Sequence, residues 1–193
     1  RFSTNTVSTW SMTQPFRMLA HNGEINTIRG NRLWMKTREL TIKSKKWGNN
    51  MKKLLPILGS KGSDSYSLDN ILEFLTLSGK GILKSIMMLI PEPYHNIKTM
   101  PKELRNFYIY NENFIEPWDG PSALVFTDGE KVVSKLDRNG LRPLRYSITN
   151  DGLIVMASEA GVADLDSKDI ELHHHMSSGE IFALNLDGTG IIE

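Results

Sequence analysis

The stretch ALVFTDGEKVVSKL (residues 123–136) has the pattern of an antiparallel β-hairpin. Residues 123–127 and 131–136 are rich in apolar and β-branched side chains, and they flank Asp128-Gly129, a dipeptide typical of two-residue hairpin turns. Turn signals recur at Asn139-Gly140 and at Asn150-Asp151-Gly152. The sequence therefore predicts further short strands over residues 144–149, 153–157, 180–186 and 190–192.

The part of the chain before this strand-rich region carries helical patterns instead. Apolar side chains at Ile28 and Met35, with Trp34 widening their face, predict a helix over residues 25–40. Ser67 followed by Asp69 predicts a helix N-terminus.

Three further features complete the prediction for the helical region. The second helix continues through Leu75, a third covers residues 82–90 and ends at Pro91, and a fourth covers residues 101–115 with proline in its first turn. Residues 41–63 are predicted as a loop. Helices followed by short antiparallel strands predict the α+β class.

The composition excludes several broad functions. The 193 residues suffice for one domain with a sizeable core, and a net charge of +1 gives no reason to expect nucleic acid or an anionic membrane as a partner. The longest apolar run, residues 86–90, is too short to cross a bilayer. With no cysteine there is neither a disulfide nor a thiolate metal site. His173-His174-His175 are adjacent and cannot converge on one ion from a regular element, so no metal site is predicted.

A few polar residues near the start of the chain suit the hydrolysis of an amide. That reaction needs a nucleophile, fixed donors for the oxyanion and grips for the substrate ends. Asn22-Gly23 offers a side-chain amide beside an unhindered backbone N–H, while Arg1 and Asp64 suit a carboxylate and an ammonium group. Taken alone, Asn-Gly is more often a hairpin turn than an oxyanion hole. Arg1 can equally be a solvated residue, and Asp64 can cap a helix or lie in a turn.

Longer stretches of the chain carry a resemblance that decides between these readings. The words RFST (1–4), QPF (14–16) and AHNG (20–23) resemble class II glutamine amidotransferases, which are N-terminal-nucleophile hydrolases. HNGEINTIRGNRLWMKTRE (21–39) is similar, more narrowly, to the amidotransferase domain of the glutamate synthase large chain. The same holds for GSDSYSLDN (62–70), MMLIPEPY (87–94), EPWDGPSALVFTDG (116–129) and LDRNGLRPLRY (136–146).

The resemblance implies a role for each candidate residue. Arg1 would bind the α-carboxylate of glutamine and Asp64 its α-amino group, while Asn22 and Gly23 would form the oxyanion hole. Thr4 and His21 would shape the pocket. The implied fold is the four-layer αββα sandwich of this hydrolase class, incomplete at its N-terminus, with residues 1–193 forming the C-terminal part of a single amidotransferase domain.

The family's nucleophile is an N-terminal cysteine, and this sequence contains none. We therefore expect that residue upstream of Arg1, and we expect the 193-residue chain alone to be inactive. The resemblance further implies L-glutamine as substrate and a synthase domain in the same polypeptide, with FMN and an iron–sulfur cluster there. A small subunit or ferredoxin would supply electrons. The expected compartment is the cytoplasm or the plastid stroma.

Two other functions stay open at this point. One is an enzyme similar to amidophosphoribosyltransferase, which shares the words RxST, QPF and AHNG but not GEINT or WMKTRE. The other is a non-catalytic amidotransferase-like scaffold. The segment DRNGLRPL (137–144) has no assigned reaction, and we expect Arg142 to brace a neighbouring loop or to face the next domain.

Overall fold

The helices and strands follow one another in the order that the sequence predicts, with two additional strands. The computed structural model describes residues 1–2, 7–59 and 61–192. Its helices are α1 (Ile28–Arg38), α2 (Asp64–Leu75), α3 (Ile82–Leu89) and α4 (Lys102–Glu112). Its strands are β1 (Leu19–Gly23), β2 (Ser122–Thr127), β3 (Lys131–Leu136), β4 (Arg145–Thr149), β5 (Ile154–Ala157), β6 (Ile170–His175), β7 (Ile181–Asn185) and β8 (Gly190–Ile192).

The strands form two antiparallel sheets. The larger has the order β1-β2-β3-β7-β8 and the smaller the order β5-β4-β6. Because side chains alternate along a strand, each face of the larger sheet meets a different partner. Leu124, Phe126 and Val133 pack with the apolar residues of α2 and α3. Leu136 and Phe182 face the other way and pack with residues of the smaller sheet.

The described residues therefore stack as a helical layer, a five-stranded sheet and a three-stranded sheet. The α+β class and the stacked-sheet architecture are confirmed. Three of the four expected layers come from this part of the chain. None of the helices described is long and apolar enough to cross a membrane.

Strand β1 lies at the edge of the larger sheet and is held there partly by side chains. The backbone N–H of Leu19 donates to Asp69 Oδ1 at 3.1 Å, and that of His21 donates to Gln14 Oε1 at 2.6 Å. Burial raises the pKa of Asp69, while the N–H groups of Met18 and Leu19 oppose that rise. The edge of β1 opposite β2 is thus fixed by two buried acceptors, Asp69 of α2 and Gln14 of the segment before β1.

Helix α2 begins four residues earlier than the sequence indicates. The predicted N-cap, Ser67, is wrong: Ser63 caps the helix by accepting from the Tyr66 N–H at 3.0 Å. Ser67 lies inside the helix, where its hydroxyl donates to the Ser63 carbonyl and accepts from Arg32. Both serines stand before an acidic residue, so local sequence does not distinguish them.

The ends and faces of other helices also differ from the prediction. Helix α1 begins at Ile28, since Ile25 belongs to the segment that follows β1. Trp34 was placed on its apolar face, and this was wrong: 56% of the residue is exposed, with the Arg38 guanidinium over its ring. Pro101 immediately precedes α4. The predicted loop 41–63 contains a short 3-10 helix, Gly48–Leu54, that buries Met51.

Candidate active site

Two adjacent residues of β1 project to opposite sides of the larger sheet. His21 faces the helical layer, where its Nδ1 lies 2.8 Å from Ser65 Oγ of α2. Asn22 faces the smaller sheet and contacts Ser158, directly after β5, and Arg142, three residues before β4. This follows directly from the two-residue period of a strand. Strand β1 is therefore a partition between two sets of polar contacts.

A cavity of about 240 Å³ lies beside β1. Its lining includes Arg1 and Asn22, two of the polar residues expected at an amide-hydrolysing site, and also His21. The remaining lining residues are Gln14, Pro15, Ala20, Ala123, Val125, Leu144 and Ser158. Apolar walls with a few convergent polar groups are typical of small-molecule sites.

The carboxamide of Asn22 is held at both ends. Its Nδ2 donates to Ser158 Oγ at 2.8 Å and to Glu159 Oε1 at 3.1 Å. Its Oδ1 accepts from Arg142 Nη2 at 2.8 Å. The Ser158 hydroxyl donates to the other Glu159 oxygen, and this bond is the first cause of the lowered pKa of that carboxyl. Asn22 thus has a fixed orientation at the cavity wall.

Gly23 ends β1 in a conformation that only glycine adopts readily. Its φ is +149°, and a Cβ atom added there would lie 1.7 Å from the Pro121 carbonyl oxygen. The N–H groups of Leu19 and His21 point away from β2, and Glu24 N–H donates to Pro121 O on the β2 side. Because N–H directions alternate in an antiparallel strand, the Gly23 N–H points to the open edge.

Asp64 contacts the segment that directly follows β1. It is the first residue of α2, and its Oδ2 accepts from the Ile25 N–H at 2.6 Å. It does not belong to the lining of the cavity that Arg1 and Asn22 share. Its carboxylate is nevertheless close enough to His21 to raise the pKa of that imidazole.

Burial is the main influence on the charge of His21. It lowers the pKa of the imidazole, which is 4% exposed. Asp64 opposes the shift, as does the Pro121 carbonyl, while Arg1 and Arg142 reinforce it. Both arginines and the aspartate therefore act electrostatically on one buried ring.

The whole chain is similar to known proteins. The family model described as "Glutamine amidotransferases class-II" matches residues 1–193. This chain belongs to the class II glutamine amidotransferases.

Similar full-length proteins are much longer than this amidotransferase chain. Over 192 residues it is 46% identical to "Glutamate synthase [NADPH] large chain" of Bacillus subtilis, covering 100% of the chain and 13% of that protein. It is 45% identical over 186 residues to "Glutamate synthase [NADH]" of Saccharomyces cerevisiae, covering 96% of the chain and 9% of that protein. It is 47% identical over 190 residues to "Ferredoxin-dependent glutamate synthase 2" of Synechocystis sp., covering 96% of the chain and 12% of that protein.

One solved structure that aligns with this chain is a glutamine phosphoribosylpyrophosphate amidotransferase from Bacillus subtilis complexed with ADP and GMP. It aligns with a TM-score of 0.48 and 17% identity, over 90% of this amidotransferase chain and 28% of that one.

The structure brings some of the predicted site residues together and leaves others apart. Arg1, His21 and Asn22 share the cavity, and Gly23 follows directly in the strand. Asp64 is not part of the cavity lining and contacts Ile25, two residues beyond β1. Thr4 falls outside the described residues.

Sequence reasoning missed three residues that hold this amidotransferase site, and it named a fourth, Arg142, without its contact to Asn22. Gln14 accepts from the His21 N–H, and its own backbone forms hydrogen bonds in both directions with Arg1. Arg142, Ser158 and Glu159 hold the Asn22 carboxamide. The words QPF and LDRNGLRPLRY include two of them, but a motif word alone does not reveal which side chain it contacts.

The three consecutive histidines lie on β6 and have separate partners. His173 Nδ1 lies 2.8 Å from Ser147 Oγ, and His174 Nε2 lies 2.8 Å from Glu180 Oε1. Among residues 1–2, 7–59 and 61–192 no group of three His, Cys, Asp or Glu side chains is arranged to hold a metal ion.

Proposed function

We propose that this chain forms the substrate-binding and oxyanion-stabilising part of a glutaminase site that releases ammonia from L-glutamine. The observation that carries the proposal is the shared cavity: a guanidinium and a carboxamide, 21 positions apart in the sequence, line one apolar-walled cavity beside β1. The attacking cysteine is supplied from outside these 193 residues, which contain none.

Each end of glutamine has a candidate partner. Arg1 binds the α-carboxylate, because a guanidinium presents paired donors that match two carboxylate oxygens. Asp64 binds the α-ammonium group. Two observations support Asp64. Its negative charge acts on His21, and its carboxylate is held at the N-terminus of α2 because Oδ2 accepts from the Ile25 N–H. His21 and Thr4 shape the pocket.

The oxyanion has two candidate donors. Attack of the cysteine thiolate on the side-chain amide forms a C–S bond and moves an electron pair onto the carbonyl oxygen. Asn22 Nδ2 and the outward-pointing Gly23 N–H stabilise that charge. Collapse breaks the C–N bond and releases ammonia, the leaving amine taking a proton. Water then hydrolyses the thioester to glutamate and free thiol.

The longer protein is proposed to be a glutamate synthase, since three relatives with at least 45% identity carry that name. Residues 1–193 are then the C-terminal part of its amidotransferase domain, and a synthase domain of the same polypeptide uses the ammonia. The iron–sulfur cluster is assigned to that part, because this chain has no cysteine to ligate a cluster, and FMN is proposed to bind there as well. Ferredoxin or a small subunit delivers electrons. The cytoplasm or the plastid stroma is the proposed compartment.

The test is Asn22→Ala in the intact protein, with ammonia release from glutamine as the readout. Loss of one oxyanion donor is expected to lower kcat about 100- to 1000-fold. A matched control is Asn150→Ala, which removes an exposed turn asparagine and is expected to change kcat by less than about twofold. A loss below about fivefold for Asn22→Ala would contradict the proposal. The 193-residue chain alone is expected to release no ammonia from glutamine.

A further inference from the structure

The carboxamide of Asn22 can serve an oxyanion in only one of its two orientations. The oxygen and nitrogen of an asparagine side chain are nearly equal in size, so packing does not select between them. Only the Nδ2 end donates hydrogen bonds. A half-turn about the Cβ–Cγ bond would present Oδ1 to the developing negative charge and repel it. The site therefore requires a neighbouring group that selects one of the two orientations of the Asn22 carboxamide.

Arg142 selects the orientation of the Asn22 carboxamide because its guanidinium can only donate hydrogen bonds. A guanidinium has donors and no acceptor, so the atom of Asn22 that lies 2.8 Å from Arg142 Nη2 is the carbonyl oxygen. At the other end, Glu159 Oε1 at 3.1 Å is an acceptor and selects the amide nitrogen. Donor and acceptor on opposite sides of Asn22 thus specify the same orientation.

Arg142 is itself anchored by a rigid turn. The carboxylate of Asp137, which is 2% exposed, accepts from the backbone N–H groups of Asn139, Leu141 and Arg142 at 3.0–3.2 Å. It also accepts from the Ser122 N–H at 3.1 Å, the residue paired with Gly23. The start of β2 and the base of the Arg142 side chain are therefore tied to one buried group.

We infer that Arg142 is a positioning residue for the reaction, which orients Asn22 Nδ2 toward the oxyanion through its hydrogen bond to Asn22 Oδ1. This inference rests on the proposed function. During the reaction the oxyanion takes the place of one of the acceptors on Nδ2, while the bond from Arg142 persists. Arg142 stabilises the transition state only through Asn22.

Two quantitative consequences follow. The effect of losing Arg142 cannot exceed the effect of losing the Asn22 donor, because the first acts by way of the second. It must also vanish when Asn22 is already gone. The contact uses a single Nη2 atom, so a lysine ammonium, which also only donates, can replace it in part.

The experiment is a double-mutant cycle in the intact protein that carries this chain and its cysteine, with kcat and KM for ammonia release from glutamine as readouts. Arg142→Met is expected to lower kcat about 10- to 100-fold with KM changed by less than about threefold. Arg142→Lys is expected to retain kcat within about fivefold. In the Asn22→Ala background, either substitution at position 142 is expected to lower kcat by no more than about twofold further.

Arg138→Met is the matched control. Arg138 lies in the same turn but pairs with Asp119, and its loss is expected to change kcat by less than about twofold. Thermal unfolding of each variant verifies its folding. If Arg142→Met does not fold, Arg142→Lys takes its place in the double-mutant cycle with Asn22→Ala.

Each alternative outcome has a distinct meaning. Equal losses from Arg142→Met with and without Asn22 would overturn the inference, as would a raised KM at unchanged kcat, which would make Arg142 a substrate ligand. A large effect of Asn22→Ala with no effect at position 142 would overturn the inference alone. No effect of Asn22→Ala would overturn the proposed function as well.

Discussion

Ser65 Oγ lies 2.8 Å from His21 Nδ1, and this contact joins β1 to the first turn of α2. Burial lowers the pKa of His21, and the fixed neighbours Arg1 and Arg142 lower it further. The neutral ring is therefore the form that the folded protein accommodates.

The first prediction concerns pH and stability. The His21 pKa is lower in the folded chain than its unfolded value of 6.5, so the unfolded chain binds more protons in the interval between the two. The free energy of unfolding should thus fall as pH drops below 6.5 toward the folded pKa. Urea denaturation at several pH values measures this. His21→Gln should weaken the dependence, whereas His173→Gln, which removes an exposed imidazole beside Ser147, should leave it in place.

The second prediction concerns a buried lysine on β3. Lys135 is fully buried, its Nζ donates to the Gly179 carbonyl, and burial lowers its pKa to about 8 against attraction from Glu92 and Glu180. Since the unfolded value is 10.5, the unfolded chain binds more protons above pH 8, and stability should rise with pH there. The full rise is at most about 3 kcal/mol.

Denaturation between pH 8 and about 9.5 tests this second prediction, because tyrosines contribute with the opposite sign at higher pH. Burial raises the pKa of Tyr94 to about 12 and also raises that of Tyr108. Lys135→Met should abolish the rise with pH. Lys131→Met on the same strand, where the partly exposed lysine lies 3.8 Å from Glu130, should retain it.

The third prediction concerns Gly23. Alanine there would place its Cβ against the Pro121 carbonyl oxygen, in a backbone conformation that alanine rarely adopts. Gly23→Ala should lower the free energy of unfolding by at least about 2 kcal/mol. Gly30→Ala is the matched control, because a Cβ within α1 at that position meets nothing within 4 Å, and it should stabilise by about 0.5–1 kcal/mol. Equal effects of the two substitutions would be inconsistent with the β1–β2 contact.

The fourth prediction concerns the turn that carries Arg142. Asp137→Asn replaces one acceptor oxygen by a donor facing backbone N–H groups, and it should cost about 1–3 kcal/mol in stability. Asp128→Asn, in an exposed hairpin turn where the carboxylate accepts from two N–H groups, should cost less than about 0.5 kcal/mol. Chemical denaturation of both variants compares them directly.

The fifth prediction concerns Arg1. In the intact protein, Arg1→Lys should raise KM for glutamine about tenfold with a smaller change in kcat, because lysine lacks the paired donors of a guanidinium. Arg17→Lys, at a residue that does not line the cavity and is bound to Glu73 and Asn70, should leave both constants near their wild-type values. An unchanged KM for Arg1→Lys would remove Arg1 from the carboxylate site.

The elements that the sequence predicted are those with a strong local pattern. The hairpin of β2 and β3 has its turn at Asp128-Gly129 as expected, because the turn residues and the flanking apolar side chains agree. Strands β1 and β6 were missed. Residues 19–23 and 170–175 contain polar or histidine side chains, and their strand conformation depends on partners far along the chain.

The candidate site likewise divides into residues that local sequence predicted and contacts that depend on distant parts of the chain. Residue types and motif words predicted Arg1, Asn22 and Gly23 beside one another. The contacts that orient Asn22 were not predictable, since Arg142 and Glu159 are more than one hundred residues away and no local pattern links them. Asp64 was expected in the same pocket, but local sequence did not indicate that its carboxylate accepts from the Ile25 N–H.

The alternation of His21 and Asn22 across β1 limits how this segment can vary. Inserting or deleting one residue upstream within the strand would exchange the two faces, sending an imidazole toward Arg142 and a carboxamide toward Ser65. Point substitutions are compatible with such a strand, but changes in its length are not. Homologous chains that keep this chemistry should therefore align through residues 19–23 without a gap.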